Sequence, residues 1–177
     1  MSSGKEDKRT FKEKYRVYIA AGITAWVIFM FIHPVAMKGN AMEPTLKDGQ
    51  IIIVSKETFK KEPPEIASVV NFHKDFNGAE GDGSSRIMRV VGIPGDTIEI
   101  RSGKLYRNGE KAEEPYASGS LGEDYGAVVL KEGEIFVLGD NREESLDSRR
   151  LGPLQITDLR GTCSIIIWPA AEWGRIK

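Results

Sequence analysis

The chain has 177 residues, with 25 Lys and Arg against 26 Asp and Glu, so its net charge at neutral pH is −1. Such a balance provides no broad positive field that would draw the protein onto nucleic acid, and we expect no nucleic-acid partner. One cysteine and two histidines are too few for a disulfide framework or a zinc site made of Cys and His, so neither a metal nor a cofactor is expected. The 19 glycines and the 40% of hydrophobic residues favour a globular β protein with many tight turns.

The first part of the chain divides into a basic segment and an uncharged apolar one. Residues 1–16 hold six positive and three negative side chains, whereas residues 17–37 hold no charged side chain. About 20 helical residues span the hydrocarbon core of a bilayer, and positive charge ahead of such a span keeps the N-terminus in the cytoplasm. The pattern predicts a cytoplasmic segment over 1–16, one transmembrane helix over 17–37 that ends near Pro34, and an extracytoplasmic domain over 38–177. The protein is therefore expected in the cell membrane, in contact with lipid.

A cleavable secretory signal is the alternative interpretation of the apolar segment. Such signals also begin with basic residues, but their apolar core is roughly 7 to 15 residues long. Here the apolar run continues from residue 17 to Ile32. A retained anchor is therefore the preferred interpretation.

Beyond residue 38 the chain consists of short apolar runs separated by turn-forming residues. The runs are rich in β-branched and aromatic side chains, have the length of strands, and lie at residues 51–54, 69–72, 90–91, 98–100, 135–138 and 165–168. Residues 98–107 turn at Ser102 and Gly103 and stop at Asn108 and Gly109, which predicts a β-hairpin followed by a second turn. This part of the chain is therefore predicted to be mainly β.

Three segments follow the apolar stretch in order: G-N-A-M-E-P-T-L at 39–46, R-V-V-G-I-P-G-D at 89–96 and G-D-N-R-E-E-S-L-D-S-R at 139–149. Together with the anchor they resemble the signature segments of the bacterial type I signal peptidases. The resemblance implies a mainly β, signal-peptidase-like core with a small β-hairpin or loop insertion, preceded by one membrane helix. It also implies a membrane endopeptidase that removes signal peptides from exported preproteins, in which a serine attacks the peptide carbonyl and an uncharged lysine takes its proton.

The chain departs from that family at the two positions that carry the reaction. Ala41 stands at the position of the serine, and Met88 stands at that of the lysine. Alanine has no hydroxyl with which to form an acyl-enzyme, and a thioether neither abstracts a proton nor is protonated at neutral pH. The sequence therefore predicts an inactive member of a serine endopeptidase family.

The other residues of the implied site are present, and they are Ser145, Asp147, Arg149, Gly39, Met42 and Pro44. The first three fall where family members support the lysine, and the last three flank Ala41. Asp147 and Arg149 are expected to pair and to brace their loop. Met88 has roughly the length of a lysine and is expected to fill the same space without a charge that must be desolvated.

Three functions remain open at this level. A non-cleaving homologue, similar to the catalytically degenerate homologues of pilus assembly, would bind exported preproteins or pilin segments as extended peptides and assist pilus or surface-protein assembly, with sortase or pilus machinery as partners. In the second, the serine and lysine of a working signal peptidase have been replaced deliberately. Natural loss of both residues is preferred to this, because one replacement would be enough to inactivate the enzyme on purpose. The third is a membrane-tethered β adaptor unrelated to peptidases.

Overall fold

A computed structural model of the protein describes residues 15–24, 26, 32–55, 59, 62–73 and 86–176. The chain forms two compact units, Met1–His33 and Pro34–Lys177. In the first unit, residues 15–24 form a helix, α1. Across the residues described, the structure contains no helix of the length and apolar character that crossing a membrane requires.

The predicted transmembrane helix over 17–37 differs from the structure at its C-terminal end. Ile32–Ala36 forms a strand, β1, in place of the last turns of a helix. This strand lies at the edge of its sheet, where Pro34 is accommodated because an edge strand does not need every backbone N–H as a donor. Residues 25 and 27–31 of the predicted span lie outside the described residues.

The second unit is built from strands in two sheets. The further strands are β2 (Ile51–Ser55), β3 (Val69–Phe72), β4 (Arg86–Gly92), β5 (Thr97–Arg101), β6 (Lys104–Arg107), β7 (Glu110–Lys111), β8 (Tyr125–Val129), β9 (Glu134–Leu138), β10 (Leu154–Gln155), β11 (Leu159–Trp168) and β12 (Gly174–Arg175). A short helix, α2 (Ser148–Leu151), and two 3-10 helices, Ile156–Asp158 and Ala170–Glu172, complete the described elements. The larger sheet has the order β1-β2-β11-β3-β4-β9-β10, with β12 on β11, and the smaller has the order β7-β6-β5-β8.

The prediction of a mainly β domain is confirmed. The β5–β6 hairpin pairs from Ile98 with Arg107 to Arg101 with Lys104. Its turn residues Ser102 and Gly103 have φ of 51° and 71°, the left-handed conformation that a tight two-residue hairpin turn requires at both positions. The predicted hairpin is therefore also confirmed.

Strand β9 connects the two hydrophobic clusters of the domain. Ile135 and Val137 belong to the cluster on one side, and Phe136 and Leu138 belong to the cluster on the other. Successive side chains of a strand point to opposite faces, so both faces of β9 are covered. The end of β9, from which the third signature segment begins, is therefore held by the core on both sides.

Candidate functional site

The first signature segment forms the turn between β1 and β2. Met42 and Leu46 are fully buried in the core, and the Leu46 N–H donates to the Met42 carbonyl at 2.8 Å. Ala41 precedes Met42 and is half-buried. Burial of Met42 thus fixes the position of Ala41 at the border of the core.

Backbone contacts on either side of Ala41 shape this turn. Gly39 has a φ of 75°, a left-handed conformation that suits glycine, and its N–H donates to Asp48 Oδ1 at 2.7 Å. The Glu43 N–H donates to the Asn40 carbonyl at 3.0 Å, and Pro44 after it is exposed. Gly39 and Pro44 therefore belong to the turn, whereas Met42 belongs to the core.

Met88 lies on β4 with 2% of its surface exposed and pairs with Val70 of β3. Ala41 and Met88 line the same cavity, whose volume is about 110 Å³. The other residues that line it are Ala36, Met37, Lys38, Arg86 and Ile87. The structure thus brings together the two positions that the resemblance assigns to the nucleophile and the base.

Gly139 allows the third segment to lie directly against Ala41. A Cβ on Gly139 would lie 2.5 Å from the Ala41 carbonyl oxygen and 2.6 Å from Ser145 Cβ, with Ser145 Oγ closer still. The Asn141 N–H donates to the same Ala41 carbonyl at 3.0 Å. Only a residue without a side chain fits at position 139 in this arrangement.

The strand register places Met88 and Ser145 on the same face of the sheet. Arg89 pairs with Leu138 in the antiparallel β4–β9 ladder, and one step further this register places Met88 opposite Gly139. Opposed residues of an antiparallel pair project to the same face, which is the face where Ser145 Oγ approaches Gly139. Ser145 therefore lies beside the position that the resemblance assigns to the lysine.

Within the described part of the chain, the hydroxyl of Ser145 has no hydrogen-bond partner. Among the described residues, its Oγ is the only buried side-chain polar atom in that condition. A buried polar group without a hydrogen bond lowers the stability of a protein by about 1 to 3 kcal/mol. A methionine thioether is at most a weak hydrogen-bond acceptor. Met88 therefore offers this hydroxyl no strong hydrogen-bond partner.

Asp147 and Arg149 form the expected pair. Arg149 donates from Nε to Asp147 Oδ1 and from Nη2 to Oδ2, both at 2.9 Å, and its Nη1 donates to the Leu121 carbonyl at 3.0 Å. Asp147 is fully buried and also accepts the Gly139 N–H at 3.1 Å. The pair therefore braces both the third segment and the end of β9.

A second buried ion pair was not expected from the sequence. Arg89 donates from Nε to Asp140 Oδ1 at 2.8 Å and from Nη2 to Oδ2 at 2.7 Å. Thr45 donates to Asp140 Oδ2 at 2.5 Å, so this pair ties the second and third segments to the first. Both charged residues stand inside the signature segments, and that placement is the signal by which they could have been found.

Tyr116 covers the Arg89 guanidinium, whose centre lies 4.0 Å from the ring centroid. Burial, together with the carboxylate of Glu114, raises the pKa of the Tyr116 hydroxyl to about 12. Glu114 in turn accepts from Arg142 at 2.6 and 2.9 Å. Neither Tyr116 nor Glu114 lies in a signature segment, so nothing in the sequence pattern indicated them.

Comparison with known proteins gives the family. Residues 11–168 match the family described as signal peptidase, peptidase S26. Signal peptidase IB of Staphylococcus aureus (strain Mu50 / ATCC 700699) is 32% identical, over 92% of this chain and 93% of that protein. Probable signal peptidase I-1 of Synechocystis sp. (strain ATCC 27184 / PCC 6803 / Kazusa) is 30% identical, over 93% of this chain and 86% of that protein.

A solved structure is also similar to part of the chain. The crystal structure of a signal peptidase I from Enterococcus faecalis V583 aligns with a TM-score of 0.47 at 28% identity, over 57% of this chain and 97% of that one. On the match of residues 11–168, the chain belongs to the signal peptidase family, peptidase S26.

Proposed function

We propose that this protein is a membrane-anchored member of the family that binds exported chains without cleaving them and assists the assembly of pili or other surface proteins. The observation that carries the proposal is that Ala41 and Met88 line one cavity. The positions that would supply a nucleophile and a base are adjacent, and neither side chain has the chemistry for its role.

The chemistry that remains falls short of peptide processing. Without a hydroxyl at position 41 no covalent intermediate forms, and without an amine at position 88 no proton is taken from an attacking group. In other serine hydrolases, enzymes stripped of their reacting residues retain an acceleration of about 10³ to 10⁴ over water. Such a residual rate is far too slow for the processing of exported chains.

Binding of an extended peptide needs neither of the lost groups. Strand β9 pairs with β4 over Arg89–Gly92, and residues 86–88 lie beyond that ladder, where they border the cavity. A peptide that adds to a strand is held by backbone hydrogen bonds and by small side-chain pockets. Met88 lines this cavity, and the pair of Asp147 and Arg149 braces the third segment, whose Asn141 N–H donates to the Ala41 carbonyl.

The proposed location is the cell membrane, with residues 1–16 in the cytoplasm and the domain from residue 38 on the opposite side. It is supported by the charge pattern of residues 1–37. The proposed partners are exported preproteins or pilin segments bound as extended peptides, membrane lipid, and sortase or other pilus machinery.

Photo-cross-linking tests the proposal directly. Ala36 is exposed and lines the cavity, so benzoylphenylalanine at this position would contact a bound peptide without disturbing the core. We expect saturable cross-linking to a pilin or signal-peptide segment, competed by unlabelled peptide, and none from the same group at Lys104, which is exposed on β6. Absence of both cross-linking and binding at high micromolar peptide would contradict the proposal; an adaptor unrelated to peptidases is already excluded by the family match.

A second candidate is an active signal peptidase whose two reacting residues have been replaced. The names of the relatives at 32% and 30% identity favour it, as does the retained Ser145 hydroxyl. The test is Ala41→Ser combined with Met88→Lys, with each single substitution as a control. Cleavage of a preprotein by the double variant alone, together with serine and lysine codons in the source organism, would establish this candidate in place of the first.

A further inference from the structure

Residues 114–118, which lie between β7 and β8, contact all three signature segments although they belong to none of them. The Ala117 N–H donates to the Glu114 carbonyl at 3.1 Å. This bond closes a turn with Pro115 at its second position, where the fixed φ of proline is favoured. We call this stretch the 114–118 turn. Because its backbone is closed by a hydrogen bond and stiffened by proline, it can hold its partners in fixed relative positions.

Ser118, at the end of this turn, clamps the residue that fixes Ala41. The Ser118 N–H donates to the Asp140 carbonyl at 2.8 Å, and the Ser118 carbonyl accepts the Arg142 N–H at 3.0 Å. Asn141 lies between these two residues, and its N–H donates to the Ala41 carbonyl at 3.0 Å. The backbone of Ser118 therefore holds the peptide groups on both sides of the donor that Ala41 uses.

The side chain of Ser118 reaches the first signature segment. Its Oγ lies 3.2 Å from the carbonyl oxygen of Glu43, which follows Ala41 by two residues, and 3.5 Å from that of Asp140. One hydroxyl proton serves one carbonyl at a time, and the shorter distance favours Glu43. The backbone and the side chain of Ser118 thus tie the turn that contains Ala41 at two points.

Two buried guanidinium groups hold the 114–118 turn itself. Glu114 accepts two hydrogen bonds from Arg142, at 2.6 and 2.9 Å, and the Tyr116 ring lies 4.0 Å from the guanidinium centre of Arg89. Arg142 and Arg89 are 3% and 2% exposed. Both contacts are therefore shielded from water, where bidentate ion pairs and cation–π contacts are strong and geometrically specific.

We infer that Glu114, Tyr116 and Ser118 are positioning residues, which act through the third signature segment to hold Ala41 at the wall of its cavity and thereby set the affinity for a bound peptide. None of the three belongs to either hydrophobic cluster or packs against one. Their contacts are with backbone groups and guanidinium groups, so they fix geometry more than they bury apolar surface. The inference rests on the proposed function, because it concerns peptide binding at the same cavity.

Variants of Glu114 and Arg142 separate positioning from stability. The readouts are urea unfolding and binding of a fluorescent signal-peptide segment to the full chain in a nonionic detergent. Glu114→Gln leaves a buried guanidinium without its carboxylate, so it should lower stability and weaken peptide binding about tenfold. Adding Arg142→Met removes the unpaired charge and should restore part of the stability, but the ion pair that holds the turn is still missing, so binding should stay weak. Affinity that recovers together with stability would overturn the inference.

Conservative variants test the other two residues. Tyr116→Phe keeps a ring over Arg89 and should bind the peptide like the parent, whereas Tyr116→Leu should bind it several-fold more weakly. Ser118→Ala loses the hydroxyl bond to Glu43 and should also weaken binding several-fold, and Ser118→Thr, which retains a hydroxyl, should restore it.

The Ala41 methyl group reports the position of its turn without any peptide. In protein labelled with ¹³C-methyl alanine, its resonance is the one lost in Ala41→Gly, and it should shift in Ser118→Ala and in Glu114→Gln. Ile100→Val is the control, because it alters a fully buried residue of the smaller sheet and should lower stability while leaving both the resonance and the affinity unchanged. If the parent binds the peptide and the variants of the 114–118 turn match it in affinity and resonance, this inference fails while the proposed function stands. If the parent binds no peptide, the proposed function itself fails.

Discussion

Gly139→Ala tests the close packing of the third segment against Ala41. The added Cβ would lie 2.5 Å from the Ala41 carbonyl oxygen and 2.6 Å from Ser145 Cβ, which is about 1 Å inside ordinary van der Waals contact. Gly139 is not in the left-handed region, so steric overlap alone accounts for the effect. Overpacking of this kind costs about 1 to 3 kcal/mol, and we expect the upper end because one opposing atom belongs to the backbone.

Urea unfolding measures this loss of stability. With a slope of about 2 kcal/mol per molar urea, a loss of about 3 kcal/mol lowers the midpoint by roughly 1.5 M. Gly126→Ala is the matched control, because a Cβ at that position meets nothing within 4 Å, and it should change stability by less than about 0.5 kcal/mol. Adding Ser145→Gly to Gly139→Ala should restore part of the loss, since Ser145 supplies two of the three close atoms. Equal midpoints for the two alanine variants would refute the reasoning.

Three further predictions concern buried groups. Met88→Lys places an amine in a site that is 2% exposed; burial should lower the pKa of that amine to about 7, so the variant is less stable than the parent by roughly 4 kcal/mol at pH 6. This deficit should shrink as the pH rises through 7 and vanish above about 10.4, where the unfolded lysine is also neutral, and urea unfolding that shows a constant deficit would contradict it. Asp147→Asn leaves Arg149 without its carboxylate and should lower the free energy of unfolding by about 3 to 5 kcal/mol. In thermal unfolding, the double variant Asp147→Asn with Arg149→Met should be more stable than Asp147→Asn alone. If the losses of stability of the two single variants simply added, the two residues would not act as a pair. Burial raises the pKa of the Cys163 thiol from 9.0 to about 12, so stability should fall as the pH rises from about 9 toward 12, because the unfolded thiol ionises first. Cys163→Val should reduce that fall between pH 9 and 10 and leave the part above pH 10 that Tyr116 contributes, because the pKa of Tyr116 is also raised to about 12. Rapid reaction of the native thiol with a disulfide reagent at pH 8 would show that the burial is wrong.

Ser145 contributes a buried hydroxyl to the candidate site. Its Oγ lies on the face shared by Met88 and Gly139, and it has no partner among the described residues. Met88→Lys tests directly whether a donor at position 88 pairs with this hydroxyl.

Local patterns in the sequence were enough for much of the fold. Runs of β-branched residues become strands because their side chains pack well on a pleated sheet, and the turn at Ser102 and Gly103 follows from backbone preferences over a few residues. The transmembrane segment predicted over 17–37, with its helix ending near Pro34, was wrong at its C-terminal end. Ile32–Ala36 carries no charged side chain and so reads locally as part of the apolar segment, but its pairing as β1 depends on β2, which a local pattern does not include.

The chemistry of the central positions was also determined by the sequence alone, since Ala41 has no nucleophile and Met88 no base in any fold. Which groups surround them was decided by the tertiary structure. Arg89 and Asp140 lie 51 positions apart and become a fully buried pair only when β4 and the end of β9 are brought together. Whether two charged residues are buried and paired depends on contacts between distant parts of the chain. An ion pair of this kind contributes little at the surface, but here the buried pair holds two signature segments of the site together.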